Sequence, residues 1–340
     1  MISYNLLIIK RAIVHKVMAK RKEFDSHVEE SKSMVEITTE IETILRTRMT
    51  DAFSQTGKAF ELAINEVESG SAFSYIDKLN ARDDQCFMDI SKELAEKLAY
   101  CQDRSNIPHG FFVLLDCINT MDGMPVYVLM KAEPHDALEI KSDSARVLKD
   151  IILSPSQKMY KAACFQKITD MGSYTDYKVY LFDEQFGTRA QLAEYFYRGF
   201  LGLTVNNNDK VLTKMFYFKM LSSIKSLYAK DYEAKDNAEE CLKAEMNNKE
   251  KMIRSVEVID RVIRSKDRDY FYRRVMNTEI PPTFRKDTSL LVETLSKTTV
   301  SISEDIKLSV SHGLLGADSL YIDKDSDKDF LIVKIPRKKS

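Results

Sequence analysis

Two runs of apolar, β-favouring residues stand out along the chain, at Gly110 to Asn119 and at Pro125 to Glu133. The short polar stretch between them contains Asp122-Gly123, a pair that suits a tight turn. The pattern therefore predicts a β-hairpin over these residues.

Other apolar segments predict the rest of a sheet. A strand pair is expected within residues 3–30, as Leu6 to Met18 and Phe24 to Glu30. Later strands are predicted at Leu138 to Lys141, Val147 to Leu153, Lys161 to Ile168 and Tyr177 to Phe182. Together with the hairpin they are expected to form one antiparallel sheet.

Apolar residues at three- and four-residue steps predict helices on a face of this sheet. The clearest case is Asp84 to Tyr100, where Phe87, Ile90, Leu94 and Leu98 follow that spacing. Further helices are predicted at Ser33 to Met49, Phe60 to Val67, Phe73 to Leu79 and Ala190 to Leu201.

From Asn206 onwards the pattern becomes almost continuously helical. Helices are predicted at Asp209 to Ala229, Tyr232 to Asn247 and Lys249 to Val275. Pro281-Pro282 ends this stretch, because neither proline can donate to a helix ladder. After it we predict a short helix, Thr288 to Ser296, and strands at Asp305 to Ser311, Ser319 to Asp323 and Phe330 to Ile335.

These elements belong to the α+β class. The predicted architecture is an antiparallel sheet with packed helices, a helical middle segment and a small C-terminal β unit. The matching domain boundaries are residues 1–205 for the α+β domain, 206–280 for the helical segment and 281–340 for the C-terminal α+β unit.

Composition excludes several classes of protein. The five cysteines are widely spaced without a CxxC pair, which favours reduced thiols in a cytosolic protein over a disulfide framework or zinc site. The apolar run Leu6 to Ile9 is short and its basic residues follow it, the reverse of a signal peptide. No window approaches a membrane span. We therefore expect a cytoplasmic protein with no membrane partner.

Net charge is −1, so affinity for a polyanion has to come from local basic clusters. Such clusters occur on a predicted hairpin turn, on the helix that begins at Asp209, in the arginine-rich segment around Tyr270 to Tyr272, and at the C-terminus. The candidate DNA-contacting residues are Lys20, Arg21, Lys22, Lys210, Lys214, Lys225, Arg264, Arg268, Arg273, Arg274, Arg337, Lys338 and Lys339. A charge-rich helix that is merely solvated explains the same pattern.

Catalytic motifs are weak in this sequence. The chain has no phosphate-cradling glycine loop and no GxSxG elbow, and its histidines are isolated. Asp116 followed by Glu139-Ile140-Lys141 matches the carboxylate and lysine pattern of a Mg²⁺ nuclease, but a solvated strand end accounts for it as well. We expect neither a metal nor a cofactor.

The aspartates of DKDSDKD, residues 323–329, alternate as they do in a calcium loop. The glycine and the bidentate acid that such a loop needs are replaced by Lys328 and Lys334. A turn between two strands is therefore the preferred interpretation.

The order of segments resembles the NdpA-like, 37-kDa nucleoid-associated protein family. The resemblance rests on RAIVHKV, SKSMVEITTEIETIL, GFFVLLDCINTMDGMPVYVLMK, ILSPSQKMYKAACFQ, DYKVYLFDEQ, EYFYRGFLGL and HGLLGADSLYIDKDSDKDFLIVKIP, found in this order along most of the chain. It implies an α+β fold, a nucleoid location and DNA binding without an enzymatic step. The family offers no DNA-binding motif that could be matched to individual residues of this sequence. The basic positions are therefore inferred from the sequence alone.

The leading hypothesis is a non-enzymatic, bacterial DNA-binding protein of the nucleoid, compatible with a homodimer. It would bind duplex DNA through phosphate contacts, with weak sequence preference. One alternative is a protein-interaction module, in regulation or in defence against foreign DNA, that uses the Met- and aromatic-rich helices of residues 209–229 and 249–276. The other is the Mg²⁺ nuclease.

Overall fold

A computed structural model of the protein describes residues 3–20, 24–55, 57–79, 83–102, 107–132, 159–186, 193–206, 208–276, 278–301, 307–311, 321–323 and 332–334. The chain divides into two compact units, Met1–Asn208 and Asp209–Ser340. The three-part division expected from the sequence stays a prediction. In the described part of the chain, no helix combines the length and apolarity needed to cross a bilayer.

The first unit is built on an eight-stranded, fully antiparallel sheet with the strand order β2-β1-β4-β5-β6-β7-β3-β8. Its strands are β1 (Leu7–Met18), β2 (His27–Glu29), β3 (Ala59–Ile64), β4 (Gly110–Asn119), β5 (Pro125–Ala132), β6 (Met159–Lys167), β7 (Tyr177–Asp183) and β8 (Leu203–Thr204). The predicted sheet is confirmed. The strands expected at 138–141 and 147–153 lie outside the described residues.

The predicted hairpin is present as β4 and β5. Gly123 has a φ of 71° and its N–H donates to the carbonyl of Asn119 at 2.8 Å. The Asp122 carboxylate accepts from the N–H of Met124, which fixes the turn locally. Both strands are buried on both faces, so their sequences are nearly continuous apolar runs and lack the apolar–polar alternation of a half-exposed strand.

Three helices of the first unit begin at polar caps. They are α1 (Thr39–Phe53), α2 (Ala72–Lys78) and α3 (Asp84–Cys101). Thr38, Ser71 and Asp83 each accept the N–H of the residue three positions later, and so satisfy a donor that has no partner within the helix. The predicted helices at 73–79 and 84–100 are confirmed, whereas the helix expected from Ser33 begins only at Thr39.

Helices cover both faces of this sheet. On one face, Ile41 and Leu45 of α1 share an apolar cluster with Leu115 and Val128. On the other face, Ser91 of α3 contacts His15 of β1. Successive residues of a strand point to opposite faces, so β1 contributes to both layers.

The helix predicted at Phe60 to Val67 is wrong, because this segment forms β3. Its burial alternates, with Phe60 and Leu62 inside and Glu61 exposed, which is the period of a strand. Pairing with β7 and then with β8 satisfies its backbone. The helix expected at 190–201 is reduced to a π-helical turn, Tyr195–Phe200, and residues 190–192 lie outside the described residues.

The second unit begins with a helical hairpin, α4 (Asp209–Leu227) and α5 (Tyr232–Asn247), as predicted. Its later helices are α6 (Ser255–Val262), α7 (Arg268–Phe271) and α8 (Val292–Leu295), with a π-helical turn at Tyr272–Met276. Its strands pair in antiparallel fashion as β9 (Met252–Arg254) with β10 (Thr283–Arg285), β11 (Lys297–Ser301) with β12 (Lys307–Ser311), and β13 (Tyr321–Asp323) with β14 (Ile332–Lys334).

The single helix predicted at Lys249 to Val275 is wrong. Its first residues pair with β10 instead, and Ile263 has an extended backbone (φ −110°, ψ 137°) that ends α6. The Arg268 guanidinium donates to the carbonyls of Ile263 and Asp260, so the broken helix end keeps its hydrogen bonds. The segment is thus divided into β9, α6, α7 and short 3₁₀ and π turns.

Lys286 closes the end of α5. Its ammonium donates to the carbonyls of Glu245 and Asn248 and to the Asn248 side-chain oxygen, at 3.1, 2.8 and 2.6 Å. A cation at this position also opposes the negative end of the helix dipole. The residue that directly follows β10 therefore ties the β9–β10 pair to the helical hairpin.

Candidate nucleic-acid interface

The predicted basic residues do not share one environment. Arg21, Lys22, Arg337, Lys338 and Lys339 lie outside the described residues. Lys20, in the first unit, pairs with Asp25 at 3.3 Å. All the others belong to the second unit.

The three predicted lysines of α4 differ in burial and in position along the helix. Lys214 is buried, and burial lowers the pKa of its ammonium. It therefore belongs to the packed face of the helix. Lys210 and Lys225 are exposed, but fifteen residues separate them, which is about 22 Å along the helix axis. Only Lys225 lies at the end of α4 that the arginine-rich segment contacts.

Six exposed cations belong to this end of α4 and to the segments packed against it, and we call this group the basic end. Its members are Lys225, Lys230, Arg264, Lys266, Arg273 and Arg274. Two tyrosines, Tyr228 and Tyr270, hold the two segments together, as the following contacts show.

Tyr228 anchors the first contact. Its N–H continues the ladder of α4 by donating to Ile224, and its carbonyl accepts from Asp231. The Arg264 guanidinium stacks on its ring at 4.7 Å, and its hydroxyl donates to Asp267 at 2.8 Å. The chain from 264 to 267 is therefore fixed beside the last turn of α4.

Tyr270 provides the second contact between α4 and the arginine-rich segment. Its hydroxyl bonds to the Ser226 hydroxyl at 3.2 Å, and the Arg274 guanidinium lies 5.7 Å from its ring centre. Phe271 and Val275 are buried and anchor the same turn in the core. Tyr270 thus contacts both Arg274 and Ser226, the residue that follows Lys225 in the sequence.

Five cations of the basic end form no direct ion pair in the described structure, and we call theirs open charges. Carboxylates nevertheless lie near two of them, since Lys225 acts electrostatically on Glu239 and Lys266 on Asp231. Among the described residues, no ion pair is formed by Lys225, Lys230, Lys266, Arg273 or Arg274. Arg264 differs, because it pairs with both Asp231 and Asp267 at 3.1 Å. A hydrogen bond with the Tyr228 hydroxyl, together with these carboxylates, raises the pKa of the Arg264 guanidinium.

Two arginines of the same stretch have structural roles. Arg268 binds the end of α6 and pairs with Asp260 at 3.3 Å. Arg261 makes two bonds of 2.8 Å to Glu245, and this hydrogen bonding raises its pKa. The surplus of basic residues in the sequence therefore overstates the charge available to a ligand.

An exposed set of lysines and arginines at a helix end is suited to binding phosphates. Guanidinium groups bind phosphate with directed donors, and lysines act as point charges. Sequence reasoning found Lys225, Arg264, Arg273 and Arg274 but missed Lys230 and Lys266. Lys230 directly follows the predicted helix Asp209 to Ala229, and Lys266 lies between Arg264 and Arg268, so their positions beside chosen residues were the signal available in the sequence.

A family model described as nucleoid-associated protein YejK, NA37, matches residues 13–338. The chain belongs to this nucleoid-associated protein family. The resemblance drawn from the order of its segments is therefore confirmed, and no curated protein matches the chain.

Asp116, the residue on which the nuclease hypothesis rests, is engaged by an arginine. Arg11 donates to one oxygen of the Asp116 carboxylate from Nε and Nη2, at 2.9 and 2.6 Å. Both side chains line a cleft of about 330 Å³ with Asp84 and Lys10. Glu139 and Lys141 lie outside the described residues, and the part of the chain that is described contains no metal-binding cluster of His, Cys, Asp or Glu.

Proposed function

We propose that this protein is a non-enzymatic DNA-binding protein that contacts duplex DNA mainly through its phosphates. The observation that supports this best is the basic end, considered together with membership of the nucleoid-associated family. The protein as a whole has a net charge of −1. Its affinity must then come from such a local cluster and not from a general field.

The number of open charges sets the expected salt dependence. The slope of log K against log salt concentration is about −0.9 per phosphate neutralised. If each open cation of the basic end meets one phosphate, the slope should be roughly −4 to −5. Fluorescence anisotropy with a labelled duplex, measured from low to moderate salt, gives this slope directly. A flat response, or no binding at all, would refute the proposal.

A triple variant tests the location of the interface. Lys225→Gln, Arg273→Gln and Arg274→Gln together should make the salt slope shallower by about 2.7, since three phosphate contacts are lost. All three side chains are exposed, so the fold should persist. Circular dichroism and a melting curve check this.

A matched control removes the same charge elsewhere in the second unit. Lys249, Lys251 and Arg285 are exposed, and they follow α5 or face β9. Helix α5 is about 24 Å long, so these residues lie far from the basic end. Changing all three to Gln should leave the salt slope unchanged. Equal losses in both triple variants would place DNA binding elsewhere.

We further propose a cytoplasmic, nucleoid location and the absence of nuclease activity. Co-localisation of a fluorescent fusion with stained DNA tests the location. Plasmid incubated with the protein and Mg²⁺ or Mn²⁺ should stay intact, and cleavage that is lost on Asp116→Ala would establish the nuclease instead.

A homodimer would double the phosphate contacts, and sedimentation equilibrium distinguishes it from a monomer. A protein partner that is captured after nuclease treatment, with no DNA shift, would favour the interaction module.

A further inference from the structure

Arg264 differs from the other cations of the basic end because carboxylates already neutralise its charge. Its Nη2 and Nε lie 3.1 Å from the carboxylates of Asp231 and Asp267, and its guanidinium stacks on Tyr228. The side chain nevertheless remains 45% exposed. It is therefore held in place at the surface with its charge already compensated.

The two carboxylates, which we call the carboxylate pair, are themselves held by other contacts. Asp231 caps α5 through the N–H of Ala234 at 3.0 Å, and this bond, followed by Arg264, lowers its pKa. Asp267 accepts from the Tyr228 hydroxyl at 2.8 Å. The pair would stay in position if Arg264 moved away.

We infer that Arg264 is a latent phosphate ligand that the carboxylate pair keeps from contributing to DNA binding. This inference rests on the proposed function of the basic end. Exposed ion pairs contribute little stability, so the contact is weak enough to be exchanged. A DNA phosphate competes with two fixed carboxylates for the same guanidinium, and their repulsion of the phosphate adds to the barrier. Removing the negative charges should therefore add one cation to the interface.

The structure offers a conservative way to remove them. Asn is as good an N-cap as Asp, so Asp231→Asn keeps the start of α5. Asn at 267 retains an oxygen that can accept from the Tyr228 hydroxyl. In the variant carrying both substitutions, the slope of log K against log salt should steepen by about 0.9, the value of one further phosphate.

A matched control separates this effect from the general loss of negative charge. Glu233 and Asp269 are exposed acids in the same two segments, and neither forms an ion pair with Arg264 in the described structure. The variant Glu233→Gln, Asp269→Asn also removes two negative charges. It should raise affinity without steepening the salt slope.

Arg264→Gln completes the test. On the wild-type background it should leave the salt slope unchanged, because Arg264 is already compensated. On the Asp231→Asn, Asp267→Asn background it should abolish the steepening. A slope that does not steepen when the carboxylate pair is removed, or steepening that survives Arg264→Gln, would overturn the inference while the triple variant still upheld the proposed function. A wild-type protein that binds no duplex would overturn both.

Discussion

The buried imidazole of His15 should make folding depend on pH in a way that can be worked out from its contacts. His15 is 2% exposed. Its Nδ1 accepts the N–H of Ser31 at 3.1 Å. The Ser91 hydroxyl donates to the Met88 carbonyl, so it is left to accept from Nε2 of His15 at 2.8 Å. This arrangement fits the neutral imidazole with its proton on Nε2.

The pKa of His15 is lowered from 6.5 to about 4, mainly by burial. Glu30 opposes this shift and Lys92 contributes to it. The unfolded chain therefore binds a proton at a pH where the folded protein does not. Stability from this group is fully present above pH 6.5 and is lost as pH falls towards 4. The loss between pH 8 and pH 5 amounts to about 2 kcal/mol.

Urea denaturation at a series of pH values measures this loss. Carboxylates also titrate in this range, so the quantity to follow is the difference between wild type and His15→Gln. That difference should fall by about 2 kcal/mol between pH 8 and pH 5. His27→Gln, a change at an exposed histidine of β2, serves as the control and should follow the wild-type curve. A difference that stays constant with pH would refute the reasoning.

Two further predictions concern the backbone. Lys286→Met removes the three contacts that close α5 and leaves its carbonyls without that donor, so the free energy of unfolding should fall by about 1–3 kcal/mol, whereas Arg285→Gln should change it little. A Cβ at Gly202 would lie 2.7 Å from Cβ of Glu66, and φ is +63°. Gly202→Ala should therefore cost more than the roughly 1 kcal/mol expected for Gly172→Ala, because a Cβ at Gly172 meets open space at φ +77°. Urea denaturation measures both pairs.

Local patterns predicted much of the fold. The β4–β5 hairpin combines apolar runs with an Asp-Gly turn, and α3 has a regular apolar spacing that begins at a capping aspartate. In these segments the local preference and the final structure agree. The element type could therefore be inferred without knowing the partners.

The errors occurred where distant partners decide the structure. Residues 60–67 are a short segment whose apolar positions fit the spacing of a helix as well as that of a strand. Pairing with β7, more than a hundred residues later, makes β3 a strand. The segment 249–275 has helical spacing, but β10 pairs with its start and Arg268 stabilises a break at Ile263. No local pattern contains this information.

The basic residues illustrate the same limit at the candidate site. At about 100° per residue, Lys210, Lys214 and Lys225 fall within one sector of α4. Spacing alone cannot tell which sector faces the core, and Lys214 is buried. Similarly, counting charges could not show that Arg264 and Arg268 already have carboxylate partners. Tertiary packing separates the open cations from the compensated ones.

The strand order of the first unit has a consequence for synthesis on the ribosome. Strand β1 ends at Met18, but its main neighbour β4 begins only at Gly110. At a translation rate of about 5–20 residues per second, β1 emerges roughly 5–20 s before that partner exists. In the meantime the edge of β1 that β4 will cover has no strand partner, because β2 pairs with three residues on the opposite edge. Nascent chains halted before residue 110 should therefore be aggregation-prone substrates for chaperones.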